Sequence, residues 1–306
     1  MSAPAVQPAV SGVALLFNPA AGQRERGREL RGIERALRAG GLDVVRQPTT
    51  APGEATRLAR AAVSAGRAAV FVLGGDGTVR EAAAGLLGSD VPLGVLPGGT
   101  TNVVAHALGL AADDPVAAAA RLAAHWATKR TRALDVGLAG GEPFLMQLSL
   151  GFDAAALARV RPAAKRRFGK LAVAWAGLRA LAGYRFPSFR VAIDGEETRA
   201  TGIVIANLPF YAGTYEILPG ARADDGRLDC LLFRGTRRRA AFGFALDLAR
   251  GRHRWRSDIE IRRVARSVDL LDNPGGAPGQ IDGDLWSFRP PVRVALAPAK
   301  IYLLVP

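Results

Sequence analysis

Residues 74–78 read Gly-Gly-Asp-Gly-Thr and place one carboxylate inside a glycine turn, directly after the apolar run AAVFVL at 68–73. Two further glycine turns follow apolar runs in the same way. NPAAG at 18–22 comes after VALLF, and PGGTTN at 97–102 comes after PLGVL. A glycine turn at the carboxyl end of a strand lets main-chain N–H groups approach a phosphate, and the helix that follows adds its positive end. Three such turns on one sheet edge would gather a polyphosphate. A bare carboxylate beside phosphates repels them unless a divalent cation or a substrate hydroxyl stands between. Asp76 therefore points to Mg²⁺ or to proton acceptance, and its plain structural alternative is a helix N-cap.

Other chemistries lack their residues. The only Gly-Lys is Gly169-Lys170-Leu171, which is not a Walker loop, and Gly75-Asp76-Gly77 continues into Thr78-Val79-Arg80, not into a dinucleotide fingerprint. His106, His125 and His253 have no metal-ligand spacing, and no G-x-S-x-G elbow occurs.

The elements that must hold the turns come from an alternation over the first 125 residues. VALLF at 13, LDVV at 42, AAVFVLGG at 68 and PLGVLPGG at 92 read as strands. Segments near 24–39, 53–65, 79–87, 102–110 and 115–128 read as helices, so the pattern predicts βαβ units and a parallel sheet. Beyond Asp135 the texture becomes strand-like, in FLMQLSLGF, FRVAIDGEE, ATGIVIANL, GRLDCLLF, SVDLLD and VRVALA, with Asp-Gly turns at 194 and 225. This predicts a mostly antiparallel β domain interrupted by one helical segment, 155–183. The domains fall at 1–134 and 135–292, and the closing 293–306, ending IYLLVP, can return to the first.

The chain has 306 residues, and 41 basic against 27 acidic residues give a net charge of +14. That surplus favours nucleic acid, anionic lipid or phosphorylated small molecules without choosing among them. Cys230 is the single cysteine, which excludes an intrachain disulfide and suits a reducing, cytoplasmic compartment. The longest apolar candidate, LAVAWAGL at 171–178, is far short of the roughly 18 residues that span a bilayer.

GGDGTVRE at 74–81, with NPAAG before it and LPGGTTN after it, resembles the diacylglycerol kinase catalytic domain of soluble bacterial lipid kinases of the YegS and DgkB type. LDVG at 134–137, SLGFDA at 149–154, DDGRLD at 224–229 and QIDGD at 280–284 continue the resemblance in the family's order. It implies a Rossmann-like α/β nucleotide domain, as in NAD kinases and phosphofructokinases, followed by a β-sandwich that holds lipid, with the site in a cleft between them. It implies transfer of the ATP γ-phosphate to a lipid hydroxyl, diacylglycerol to phosphatidate, with Mg²⁺. Carried over by position, nucleotide contacts fall on Asn18, Pro19 and Gly22, on Thr49, on Gly74, Gly75, Asp76, Gly77, Thr78 and Glu81, and on Gly99, Thr100 and Asn102. Asp76 and Asp135 match family acids, Asp284 stands where the family's general base is expected, and Asp225 with the carbonyls at Arg222 and Arg227 matches a structural Mg²⁺ site. An ordinary Asp-Gly turn explains Asp225 equally well.

Three departures bear on activity. Asp284 is one methylene shorter than the family's glutamate, Val103 stands where many members have an aspartate, and Arg80 replaces a frequent asparagine. These departures leave a non-catalytic nucleotide or anionic-lipid binder open as an alternative, and the GGDGT loop, which NAD kinases share, leaves open a NAD kinase-like enzyme. The segment RVRPAAKRRFGK at 159–170 precedes an apolar stretch, and it reads either as an interfacial helix for peripheral contact with an anionic membrane or as a solvated helix. Nucleic acid is not an expected partner, because the basic runs lack interleaved aromatics. A homodimer is left open.

Overall fold

The structure is a computed structural model that describes residues 11–19, 25–110, 114–159, 179–211 and 215–306. It divides into two units, Met1–Ala133 with Ile301–Pro306 and Leu134–Lys300.

The first unit alternates strand and helix: β1 (Ser11–Phe17), α1 (Glu25–Ala39), β2 (Leu42–Pro48), α2 (Glu54–Ser64), β3 (Ala69–Gly74), α3 (Asp76–Leu86), β4 (Leu93–Pro97), α4 (Val103–Ala107), α5 (Pro115–Ala124) and β5 (Thr131–Leu134). The sheet order is β2-β1-β3-β4, then β20 (Ile301–Leu304), then β5, and β1 to β4 and β20 pair in parallel. Every residue of β3 and β4 is buried, as expected of parallel strands covered on both faces. The helices supply those covers. Leu30, Ile33 and Leu37 of α1 lie on one stripe and are buried, and Asp114 caps α5 by accepting from the Val116 and Ala117 amides at 2.9 Å, with Pro115 at the first helical position.

The second unit is a sandwich of two antiparallel sheets. One orders β10 (Glu196–Ala200), β9 (Phe189–Ile193), β16 (Val268–Leu270), β19 (Val292–Leu296), β6 (Gly137–Ala139) and β7 (Glu142–Phe144). The other orders β15 (Ile259–Val264), β14 (Leu228–Phe233), β11 (Gly202–Ala206), β8 (Gln147–Leu150), β17 (Gly279–Ile281) and β18 (Asp284–Trp286). Alternate residues of facing strands, among them Leu148, Leu150, Val191, Ile203, Ile205, Cys230 and Leu232, fill the core between the sheets. The period of two sends Ser149, Val204, Ala206, Leu231 and Phe233 to the outer face of the second sheet, where a second apolar cluster forms.

Five features differ from the periodicity reading. Helix α3 starts at Asp76, three residues before the expected 79, because only Gly75 stays extended, as the N-cap, and Asp76 and Gly77 already belong to the first helical turn. The expected helix 115–128 ends at Ala124 and passes into a 3-10 turn, Trp126–Thr128. The second unit also contains a helix that the strand-like reading missed, α7 (Arg238–Ala249), whose Ala241, Phe244 and Leu248 pack on the outer cluster. Of the expected helical segment 155–183, α6 (Phe152–Leu157) covers the start, and residues 160–178, with most of the basic run 159–170, lie outside the described residues. At the carboxyl end, Val292–Leu296 stays in the sandwich and Ile301–Leu304 enters the first unit's sheet.

Candidate functional site

Strands β1 to β4 run parallel, so their carboxyl ends, and with them Asn18, Thr49, Gly75 and Gly98, lie on one edge of the first sheet. The Thr49 amide donates to the Phe17 carbonyl at 2.8 Å, which ties the end of β2 to the turn at Asn18 and Pro19. Gly22 lies outside the described residues. The second and third turns touch directly: the Gly98 amide donates to the Gly74 carbonyl at 2.9 Å, and a Cβ built on Gly99 would stand 2.5 Å from Gly75 Cα. Only glycine at 99 permits that approach. Asn102 takes a left-handed φ of 46° and braces the third turn, accepting from the Gly99 amide at 2.8 Å and donating to its carbonyl at 3.1 Å.

Asp76 is buried in the first turn of α3, behind Gly75 at the N-cap, so the capping alternative falls to Gly75. Its carboxylate crosses to the third turn, where Oδ2 accepts from Thr101 Oγ1 at 2.9 Å and Oδ1 from the Val104 amide at 3.2 Å. Each carboxylate oxygen accepts more than one such bond, so Asp76 retains lone pairs. Thr101 was missed by sequence reasoning, which chose its neighbour Thr100, an exposed residue; only the contact to Asp76 separates the two. Thr78 packs against Gly74, while Glu81 turns to α2 and accepts from the Ala55 amide at 3.3 Å. Val103 is 4% exposed, so the position that departs from the resemblance serves core packing.

In the second unit, Asp135 is buried and joins three segments. Its amide donates to the Ala223 carbonyl at 2.7 Å, its Oδ2 accepts from the Gly226 amide at 2.9 Å, and its Oδ1 pairs with Lys300 Nζ at 2.8 Å. Asn207 Nδ2 then donates to the Asp135 carbonyl at 2.6 Å and to the Leu145 carbonyl at 3.0 Å. The same segment is held from its other side by Asp282, whose carboxylate accepts from the Leu145, Met146 and Gln147 amides at 2.7, 2.9 and 2.9 Å. Asp135, the Asp225 turn and the Asp282-Gly283 turn thus gather around Leu145–Gln147. Asp284 stands exposed at the start of β18. Asp225 accepts from the Arg227 amide at 3.2 Å, and Arg222 pairs with Asp224 at 3.1 Å. Among the described residues no three His, Cys, Asp or Glu side chains converge.

A further polar cluster sits on the outer face of the second sheet, and sequence reasoning did not find it. Ser149 Oγ donates to Asp153, and Gln280 Nε2 donates to Ser149 Oγ at 2.8 Å. Burial pushes the Asp153 carboxyl above its ordinary range, and Tyr211, bonded to it, is raised as well, again chiefly by burial. Tyr184 Oη is buried without a hydrogen-bond partner, and its ring meets Phe186 edge-on at 4.9 Å and Phe152 at 5.8 Å. Polar groups therefore stand beside the apolar cluster of Phe186, Val204, Leu218 and Phe233.

Residues 12–139 match the diacylglycerol kinase catalytic domain, and residues 146–305 match the YegS C-terminal NAD kinase beta sandwich-like domain. The chain is 30% identical to a Mycobacterium tuberculosis protein named "Diacylglycerol kinase", over 96% of this chain and 95% of that one. It is 32% identical to a Pseudomonas fluorescens protein named "Probable lipid kinase YegS-like", over 88% and 90% of the two chains. The fold is shared with the crystal structure of a Bacillus anthracis diacylglycerol kinase, at a TM-score of 0.71, 22% identity and 98% coverage of both chains. The chain belongs to the diacylglycerol kinase family of lipid kinases, and with that membership come ATP as phosphoryl donor and a lipid acceptor. No helix among the described residues is long and apolar enough to cross a membrane.

Proposed function

We propose that the enzyme transfers the γ-phosphate of ATP to the free hydroxyl of diacylglycerol, yielding phosphatidate and ADP. One observation carries the reading: Gly75 and Gly99 are in contact and Asp76 spans their two turns, so main-chain amides and one carboxylate share a single sheet edge. That arrangement suits a polyphosphate, because glycine leaves the amides unshielded and the start of α3 adds positive potential. Asn18, Pro19, Gly22, Thr49, Gly74, Gly77, Thr78, Thr100 and Asn102 are the further nucleotide contacts in this reading. Mg²⁺, held through the remaining lone pairs of Asp76 and the phosphates, would neutralise charge developing on the transferred group; one carboxylate is a sufficient protein contribution to such a site.

The lipid is assigned to the second unit. Its outer apolar cluster suits acyl chains, and Tyr184 Oη and the Asp153 cluster offer hydrogen bonds to the glycerol region. Asp284, exposed at the start of β18, is the base that takes the proton as the lipid oxygen bonds to phosphorus and the bond to ADP breaks. Asp135 with Lys300 positions the Asp225 turn, where a second divalent ion would use Asp225 and the carbonyls at Arg222 and Arg227. Peripheral contact with an anionic membrane brings the enzyme to its acceptor, and a dimer is compatible with this chemistry. Labelled ATP offered with a panel of lipids in mixed micelles tests the proposal. Label in phosphatidate is expected; ATP binding without any labelled lipid overturns it, and NADP formation from NAD without detergent would assign the site to the soluble dinucleotide.

A further inference from the structure

Six large apolar side chains stand exposed among the described residues: Tyr215, Phe242, Leu246, Trp255, Ile261 and Leu285. Five of them gather around α7. Phe242 and Leu246 are on the helix itself, Tyr215 is on the short strand Tyr215–Glu216 that contacts it, Trp255 is in the 3-10 turn His253–Trp255 behind it, and Ile261 is on β15, which contacts that turn. The helix is two-sided: Ala241, Phe244 and Leu248 pack on the outer cluster, while Phe242, 50% exposed, and Leu246 four residues on face outward.

Hydrogen bonds tie these elements together. Arg256 donates to Asp247 of α7 at 2.7 Å and to both Asp258 oxygens at 2.8 Å, and the fully buried His253 engages the Ile217 carbonyl through Nε2 at 2.8 Å. Trp255, 67% exposed, is therefore held out from a clamped turn, with the Arg254 guanidinium 4.2 Å over its ring. Charge around this face is mostly positive, with Glu216 beside Tyr215 the exposed acid that no ion pair among the described residues neutralises. Asp247 and Asp258 are taken by Arg256, and Glu260 pairs with Arg234 and Arg262. Arg237, Arg238, Arg239, Arg250, Arg252 and Arg254 are exposed, and none has an ion pair among the described residues. Apolar side chains on neighbouring elements, flanked by six unpaired arginines against one exposed acid, fit an anionic lipid surface better than a protein partner of mixed charge.

We propose that the outward face of α7, with Trp255, is the surface by which the protein docks on an anionic bilayer, Phe242, Leu246 and Trp255 entering the headgroup layer while the flanking arginines meet lipid phosphates. The proposal uses no residue of the basic run 159–170, and it rests on the lipid-kinase reading only for the choice of occupant.

Vesicles of phosphatidylglycerol and phosphatidylcholine, sedimented with the full chain in the absence of ATP, test it. Wild type should bind in proportion to phosphatidylglycerol content and release with salt. Phe242→Ser with Trp255→Ser should cut partitioning about tenfold or more at an unchanged circular-dichroism melt. Arg239→Glu with Arg250→Glu, which alters no packed residue, should cut it about tenfold and flatten the salt dependence. Phosphorylation of a short-chain diacylglycerol dispersed in water should persist in all variants. Undiminished vesicle binding in the arginine pair, or a wild-type dimer that these substitutions dissociate while lipid binding stays intact, overturns the proposal. Vesicle binding that depends on this face while no lipid is ever labelled keeps the docking surface and sinks the kinase reading instead.

Discussion

Asp76 and Asp282 are each buried in a glycine turn, one in each unit, yet their surroundings assign them opposite work. Asp282 accepts three consecutive main-chain amides from Leu145 to Gln147, whereas Asp76 accepts one hydroxyl and one amide at the longer distance of 3.2 Å. Its oxygens are left with capacity for a ligand. A carboxylate enclosed by its own chain's amides is committed to structure, and one with spare lone pairs beside unshielded glycine amides is available for chemistry.

The sharpest way to break this contrast is Asp76→Asn. The amide keeps an acceptor toward Thr101 or Val104, so the melt should hardly move, while turnover should fall by roughly 1,000-fold if the charge serves phosphoryl transfer. A loss under tenfold in a steady-state assay would put Asp76 with Asp282 as a brace. Gly99→Val comes next: its Cβ would stand 2.5 Å from Gly75 Cα, so the turns must part, and nucleotide affinity measured by calorimetry should drop at least tenfold (~1.4 kcal/mol). Asp282→Ala should lower chemical-denaturation stability by roughly 3 kcal/mol, since three buried amides lose their acceptor, whereas Asp284→Ala, two residues on, should leave stability unchanged and reduce turnover. Equal stability losses at both positions would erase the distinction drawn between them.

The smallest effect concerns pH. Burial raises the Asp153 carboxyl above its ordinary 3.8, so the folded state holds this proton more tightly than the unfolded chain. Its contribution to stability is full below the unfolded value and is lost as pH rises through the raised one. Asp153→Asn, which cannot ionise, should therefore flatten the fall of Tm as pH rises through that window, gaining about a few degrees over wild type at neutral pH. A Tm profile parallel to wild type would show that Asp153 is charged in the fold and satisfied there.

Much of the first unit was legible because its signals are local. Buried parallel strands demand continuous apolar runs such as AVFVL, and a main-chain approach as close as that of Gly75 and Gly99 demands glycine. The second unit was harder. Helix α7 hides behind RGTRRR and an interior Gly243, and its inward stripe of Ala241, Phe244 and Leu248 reads weakly until the cluster it covers is known. Thr101 looked no different from Thr100, and Ser149, Asp153 and Gln280 are separated by up to 131 residues. No spacing rule reaches that far.

By itself, the order of residues determined the βαβ alternation, the three glycine turns, the switch to antiparallel strands near Asp135 and the motif set of a lipid kinase, since each rests on backbone sterics or on hydrophobic period within a few residues. Tertiary structure alone decided which acids are spent on main-chain amides, which hydroxyl meets Asp76, and that Phe242, Leu246 and Trp255 emerge on one side among unpaired arginines. The physical reason is that hydrogen-bond satisfaction and exposure belong to the groups that folding brings near from distant parts of the chain.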